Sequence, residues 1–324
     1  MKAVLARAWG EPSELEYSDA PDPEPGPGEV LLDVRAVGCN FPDILIVQGK
    51  YQVKPPLPFS PGHEAAGLVR AVGAGVTRVA PGQRALAMVG WGAYAERVVA
   101  PQACVFPIPE GMSFEEAAAF GLVYQTSYSA LVHRARIRPG EWLLVHAAAG
   151  GVGLSAVQIG KALGARVIAT AGSEAKLEIA RQAGAEALVD YRGGDWIERV
   201  MQLTGGRGAD VVYDPVGGDV FDGSTRCTAF EGRLLVIGFA GGRIPSVAAN
   251  RVLLKNMSVV GVHWGLYQRM GSPLVDEWMA ALYAMYDRGE IKPLIYRTFA
   301  LRDAAKALDA IASRESYGKV VLAP

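Results

Sequence analysis

The chain has 324 residues, half of them apolar and 20% charged, and its 32 basic and 33 acidic side chains leave a net charge of −1. This balance excludes a disordered chain and offers no basic stripe for a phosphate backbone, so no nucleic acid partner is expected. Glycine is the outlier at 39 residues, about 12% against an ordinary share of about 7%. No three-residue period or linker composition accounts for it.

The length predicts two domains. At the start, Arg7 and Glu11 fall where a secretory signal needs an apolar run. Cys39, Cys104 and Cys227 are odd in number and widely spaced, forming neither a disulfide framework nor a metal knuckle, so a reducing, cytoplasmic setting is expected. From residue 30 to about 110, short apolar runs at 30–38, 65–72, 84–89 and 95–100 alternate with proline and glycine. Their period of two predicts a barrel of short antiparallel strands. The proline-dense stretches 21–28 and 54–62 cannot be central strands and are expected to be loops.

After about residue 120 the pattern changes. Strands are expected at 142–148, 165–170, 187–190, 210–216, 233–238 and 258–264, with helices between them, for instance at 152–163 and 173–184. Six such units predict an α/β domain with a doubly wound parallel sheet. From about 266 the alternation ceases, with one helix at 275–289 and a final strand at 319–322, and this tail is expected to rejoin the first domain. The predicted domains are therefore 1–120 with 266–324, and 121–265. Residues 142–160 carry no charge and imitate a membrane span, but a glycine cluster, a His and a Gln interrupt them, and no membrane association is expected.

The first strand of the second half runs into Ala148-Ala149-Gly150-Gly151-Val152-Gly153, a GxGxxG pattern with alanine first. Between a strand and a helix, such a turn lets a pyrophosphate approach backbone N–H groups and the positive helix end. The end of the second strand selects the dinucleotide, because an acid there would bond the ribose 2′-hydroxyl and repel a 2′-phosphate. Here the chain reads Thr170-Ala171-Gly172-Ser173-Glu174-Ala175-Lys176. With no acid at the strand terminus, Ser173 and Lys176 favour NADPH, and Glu174 is expected to point outward.

These stretches, with NFPDILIVQGKYQ (40–52), PFSPGHEAAG (58–67), VHAAAGGVG (145–153), VIATAGSEAK (167–176) and VIGFAGGRIP (236–245), resemble the zinc-independent medium-chain dehydrogenase/reductases of the NADPH:quinone oxidoreductase (zeta-crystallin-like) branch. The resemblance implies a GroES-like β-barrel substrate domain built from both chain ends, a Rossmann domain between, and a cleft for NADPH and a flat electrophile such as a quinone or enone. It also implies Asn40, Asp43 and Tyr51 beside the nicotinamide and substrate. Thr126 would lie near the ribose or nicotinamide, Gly150, Gly151 and Val152 at the pyrophosphate, Gly172, Ser173 and Lys176 at the 2′-phosphate, and Tyr191 near the adenosine. Phe239, His263 and Trp264 would close around the nicotinamide half, although Trp264 reads equally well as core.

His63 matches one zinc ligand of the alcohol dehydrogenase branch, but Asn40 and Leu122 stand where its partners would be. No catalytic zinc is expected, and Cys39 and His63 read as a buried strand residue and a hydrogen-bonded turn residue. With no strong general acid among the four histidines, a quinone suits the chain better than a ketone. Two alternatives stay open: an enoyl or acryloyl thioester reductase of the same fold, and a non-catalytic NADPH-binding protein with a structural or RNA-binding role. The apolar strand at 258–264 closes the predicted sheet and leaves an edge, so a homodimer is expected.

Overall fold

Eleven consecutive residues, Glu29–Cys39, form the longest strand, and their buried valines, leucines and alanines place them at the centre of a sheet. A computed structural model describes all residues from 1 to 324. The chain divides into two units, 1–122 with 293–324, and 123–292.

In chain order the first unit contains β1 (Lys2–Leu5), β2 (Glu16–Asp19), β3 (Glu29–Cys39), α1 (Phe41–Val47), β4 (Glu64–Val72), β5 (Arg84–Met88), β6 (Arg97–Pro101), β7 (Val105–Pro107) and α2 (Phe114–Ala118). Helix α3 (Gly121–Tyr128) begins at the boundary. The second unit then alternates β8 (Trp142–Val145), α4 (Gly151–Ala162), β9 (Arg166–Ala171), α5 (Glu174–Ala183), β10 (Ala187–Asp190), α6 (Trp196–Leu203), β11 (Ala209–Asp214), α7 (Gly218–Cys227), β12 (Thr228–Val236), α8 (Ala249–Lys255) and β13 (Ser258–Gly261). It ends with α9 (Trp264–Arg269) and α10 (Leu274–Asp287), after which β14 (Ile295–Ala300), α11 (Ala304–Ala312) and β15 (Lys319–Ala323) return to the first unit.

The first unit is built on a sheet of order β14-β15-β3-β4-β5-β7, with β6 on β3, antiparallel except for the β14–β15 pair. Register matters most at β15, where Val320 lies opposite Cys39 and thereby brings Lys319 next to Asn40. Val30, Leu32, Val37 and Cys39 of β3 share a core with Leu308 of α11 and Leu322 of β15. Both proline-dense segments are loops, as their missing N–H donors require.

In the second unit the sheet is wholly parallel, in the order β10-β9-β8-β11-β12-β13. Counted within the unit this is 3-2-1-4-5-6, the dinucleotide-binding order of the Rossmann fold, whose ligands sit at the carboxyl ends of the strands where the winding reverses. Leu143, Leu144 and Val145 of β8 are fully buried, each favourable by about 1.5–3 kcal/mol relative to exposure. The uncharged stretch 142–160 is thus β8, the glycine turn and α4, and no helix is long and apolar enough to cross a membrane.

Among the boundaries that differ from expectation, three bear on the site or the division into units. The first strand stops at Val145 rather than 148, because Ala147 turns to a φ of +48° to enter the glycine loop. The last stops at Gly261, leaving His263 as the N-cap of α9. The chain rejoins the first unit at 293 instead of 266, because α10 is packed into the second. There Trp278 meets His133 and Tyr267 at centroid distances of 5.5 and 5.1 Å, and the Val275 carbonyl accepts from Gln125 at 2.9 Å.

Candidate active site

At the end of β3 the backbone passes through Asn40, the extended N-cap of α1, and the Pro42 ring sets the next turn at a position where a helix needs no N–H. Three residues on, the Asp43 carboxylate accepts the Asn40 N–H through Oδ2 at 2.8 Å, as the first turn of a helix favours. The same Oδ2 accepts from the Tyr94 hydroxyl at 2.9 Å, and Oδ1 lies 2.5 Å from His63 Nδ1. Asp43 is wholly buried, so every hydrogen bond it accepts comes from the protein. Burial, and then the Asp43 charge, hold the Tyr94 hydroxyl well above its ordinary pKa, so it stays a donor.

A second buried charge adjoins this one. Glu64, the first residue of β4, accepts from Lys319 Nζ at 2.8 Å and Asn40 Nδ2 at 2.9 Å through Oε1, and from the Leu122 N–H at 2.7 Å through Oε2. Lys319 also donates to the Cys39 carbonyl and to Asn40 Oδ1, at 2.9 and 2.6 Å. Both Asn40 amide hydrogens are committed, the second to the Gly38 carbonyl at 3.1 Å. What Asn40 can still offer a ligand is one Oδ1 lone pair, fitted to an amide N–H.

The second unit carries the glycine turn and the end of β9. Gly150, extended at φ −77°, caps α4, and its N–H donates to the Ala147 carbonyl at 2.9 Å. A β-carbon on Gly153 would overlap the Ala147 carbonyl oxygen and stand 2.8 Å from Ala148 Cα, so the turn closes only on glycine. At the end of β9 a β-carbon on Gly172 would overlap the Tyr191 hydroxyl, which brings Gly172 and Tyr191 together. Ser173 is the N-cap of α5; its oxygen accepts the Lys176 N–H at 3.3 Å and its hydroxyl hydrogen points away from that bond. Glu174 is exposed and Lys176 half-buried on the first turn of α5. Gly150, Gly151 and Gly153 bring no β-carbon to the loop, and the α4 N-terminus presents N–H groups as an anion site requires. The residues present fit a dinucleotide with an extra phosphate.

Other expected site residues fall less uniformly. Phe239, 39% exposed, lies over Gly217, and Thr126 is half-buried on α3 beside the buried Ser127–Tyr213 hydroxyl pair. His263 is exposed, its pKa lowered by partial burial and by Arg269. Trp264 is corrected from ligand contact to core: it is buried, and its indole N–H donates to Gln125 Oε1 at 3.1 Å. Asp43 is wholly buried and bonds Asn40, His63 and Tyr94, the placement of an orienting group. Tyr51, half-buried, sets its ring edge-on to His63 at 6.0 Å. The sequence reading missed Glu64, Lys319 and Tyr94, and left His63 as a turn residue.

Residues 26–110 match the family model for the alcohol dehydrogenase GroES-like domain, and residues 151–280 that for zinc-binding dehydrogenases. The quinone oxidoreductase of Pseudomonas aeruginosa is 39% identical over 325 residues, covering 100% of this chain and 99% of that protein. The chain belongs to the quinone oxidoreductase branch of the medium-chain dehydrogenase/reductases. Quinone oxidoreductase-like protein 2 of Rattus norvegicus is 42% identical over 298 residues, 92% of this chain and 85% of its own. A solved structure of the Escherichia coli quinone oxidoreductase complexed with NADPH aligns with a TM-score of 0.93 at 33% identity, covering both chains completely.

As a member of this branch the chain is an oxidoreductase. The name of the matched zinc-binding family raises a metal that its residues do not fit. No group of three or more His, Cys, Asp and Glu side chains could hold an ion. His63 gives Nδ1 to Asp43, and Cys39 lies in the barrel core, where burial and then Asp43 push its thiol up to about 12, away from the thiolate a metal needs.

Proposed function

We propose that this oxidoreductase uses NADPH, without zinc, to reduce quinones or similar conjugated carbonyls. The observation that carries the reading is the end of β9, where Gly172, Ser173 and Lys176 stand in place of an acid, beside a glycine turn with room for a pyrophosphate. The solved Escherichia coli relative complexed with NADPH supports it. In this reading Gly150, Gly151 and Val152 hold the pyrophosphate, Gly172, Ser173 and Lys176 the 2′-phosphate, and Tyr191 the adenosine side. Thr126, Phe239, His263 and the Asn40 lone pair serve the nicotinamide half. Bound NADPH supplies a hydride, and Tyr51 offers a flat electrophile a ring to pack against. With an acceptor that is already electron-poor, holding the two reactants in contact is most of what the protein must do.

The test is oxidation of NADPH and NADH, separately, against quinones, enones, aldehydes and enoyl thioesters, with and without a chelator. NADPH is expected to be preferred, and the chelator to be without effect. Lys176→Ala should raise the KM for NADPH about 10–100-fold, the loss of one charge-assisted bond of about 1.5–3 kcal/mol, and move the KM for NADH far less. Chelator inhibition or a preference for NADH would overturn the corresponding part of the reading. Preference for an enoyl thioester would turn it toward the thioester reductases.

We also propose a homodimer in a reducing, cytoplasmic setting, where Cys39, Cys104 and Cys227 form no disulfide. Strand β13 is an edge of the parallel sheet, and Phe230 of the adjoining β12 and Leu253 and Leu254 of α8, which precedes it, are 65–77% exposed. Apolar surface of that kind beside a bare edge marks an interface. Light scattering is expected to give the mass of two chains for the protein and of one for Leu254→Glu.

A further inference from the structure

His63 is the one histidine that the fold holds by a carboxylate. His146 uses both ring nitrogens in the core, on Thr170 Oγ1 at 3.0 Å and Ser224 Oγ at 2.9 Å, and desolvation pushes its pKa down to about 3. His133 is stacked among Tyr267 and Trp278, and His263 caps α9. His63, by contrast, keeps Nδ1 on Asp43 at 2.5 Å, makes no hydrogen bond through Nε2, and retains an accessible edge, its side chain being 11% exposed. Asp43 is itself fixed by the Asn40 N–H and the Tyr94 hydroxyl, so the carboxylate cannot rotate away from the ring. An acceptor carboxylate at Nδ1 fixes the tautomer with hydrogen on that atom. The free nitrogen, Nε2, is then the atom that gives or takes a proton, on a ring that meets Tyr51 edge-on at a centroid distance of 6.0 Å.

We propose that His63 is the proton donor of the reaction and Asp43 its positioning residue, a role that rests on the reductase reading above. Hydride arriving on a conjugated carbonyl brings two electrons and one hydrogen and leaves the substrate oxygen as an anion. His63 Nε2–H gives that oxygen its proton; the N–H bond breaks, an O–H bond forms, and the neutral imidazole regains its proton from water. A quinone yields a weakly basic oxyanion that water can serve. An enone yields a much more basic enolate, for which a positioned acid is worth about 10²–10⁴-fold. A buried carboxylate maintained behind an accessible imidazole therefore points to α,β-unsaturated ketones or aldehydes as the preferred acceptors within the quinone and enone class.

The test compares His63→Gln, His63→Phe and Asp43→Asn with the unaltered protein on one enone and one quinone, alongside NADPH binding by fluorescence titration and the imidazole 15N shifts of the ligand-free protein. In the unaltered protein the His63 shifts should show hydrogen on Nδ1, and in Asp43→Asn they should not. Both His63 variants should bind NADPH with nearly unchanged Kd. They should lose about 10²-fold or more in kcat on the enone, with KM moving little, and lose at least tenfold less on the quinone. Equal losses on both acceptors, an enone rate kept by His63→Gln, or hydrogen on Nε2 alone would overturn the role. Should none of the quinones, enones, aldehydes or thioesters support NADPH oxidation by the unaltered protein, the reductase reading itself fails and takes this role with it. Turnover that is indifferent to His63 sinks only the latter.

Discussion

Lys319→Met should lower the folding stability of the first unit by about 3–5 kcal/mol, the usual penalty for leaving one partner of a buried ion pair uncompensated. Lys319 is 3% exposed and Glu64 fully buried, and the ammonium donates to Glu64, the Cys39 carbonyl and Asn40 Oδ1 together. Methionine matches the stem in volume, so packing is retained and the loss is electrostatic. Glu64 would keep only the Asn40 amide and the Leu122 N–H as donors for a buried charge. The double variant Lys319→Met with Glu64→Gln removes that charge and should recover most of the loss, since a buried pair replaced as a unit is often nearly neutral. Denaturant midpoints of the four proteins measure the coupling. A single variant within about 1 kcal/mol of the unaltered chain, the range of an exposed ion pair, would show that the pair is hydrated. Function should follow, because Asn40 Oδ1 loses the donor that fixes the amide.

The ion pair also shows where the sequence stops being legible. Glu64 and Lys319 are 255 residues apart, and no local pattern says that β15 lies against β3 with Val320 opposite Cys39. By contrast Asn40 and Asp43 sit three apart, a helix-start spacing that can be read directly, and the hydrogen bond between them was available as a signal. The second unit was readable because each of its elements declares itself locally: apolar runs for parallel strands, period 3.6 for helices, a glycine turn between. Even there a tertiary partner decided what the sequence left open or placed elsewhere. Trp264 went to the core because Gln125 takes its indole N–H, and α10 stayed in the second unit because Trp278 found His133 and Tyr267. The role of His63 was missed for the same reason, its partner Asp43 being 20 residues away on another element.

Gly153→Ala should abolish useful NADPH binding as well as destabilise the second unit, while Gly150→Ala, three residues earlier, should fold nearly normally. The difference is in what the new methyl meets. At 153 it would overlap the Ala147 carbonyl oxygen and lie 2.8 and 2.9 Å from Ala148 Cα and Ala147 C, all backbone; at 150 the nearest atom is Ala147 O at 3.3 Å. Nor can the turn move aside. Ala147 is already at φ +48°, its carbonyl accepts the Gly150 N–H at 2.9 Å, and the Ala148 N–H is tied to the Thr170 carbonyl of β9 at 3.0 Å. Overpacking of this kind costs about 1–3 kcal/mol when the surroundings yield, and here yielding means reorienting the N–H groups proposed above to hold the pyrophosphate. Losing two charge-assisted bonds of about 1.5–3 kcal/mol each weakens binding about 10²–10⁴-fold. Thermal midpoints and NADPH titrations of the two variants separate the effects: Gly150→Ala should keep its midpoint, and Gly153→Ala should lose midpoint and affinity together. If Gly153→Ala bound NADPH as tightly as the unaltered protein, the pyrophosphate would have to lie elsewhere than on the Ala148–Gly153 turn, and the assignment of Gly150, Gly151 and Val152 would go with it.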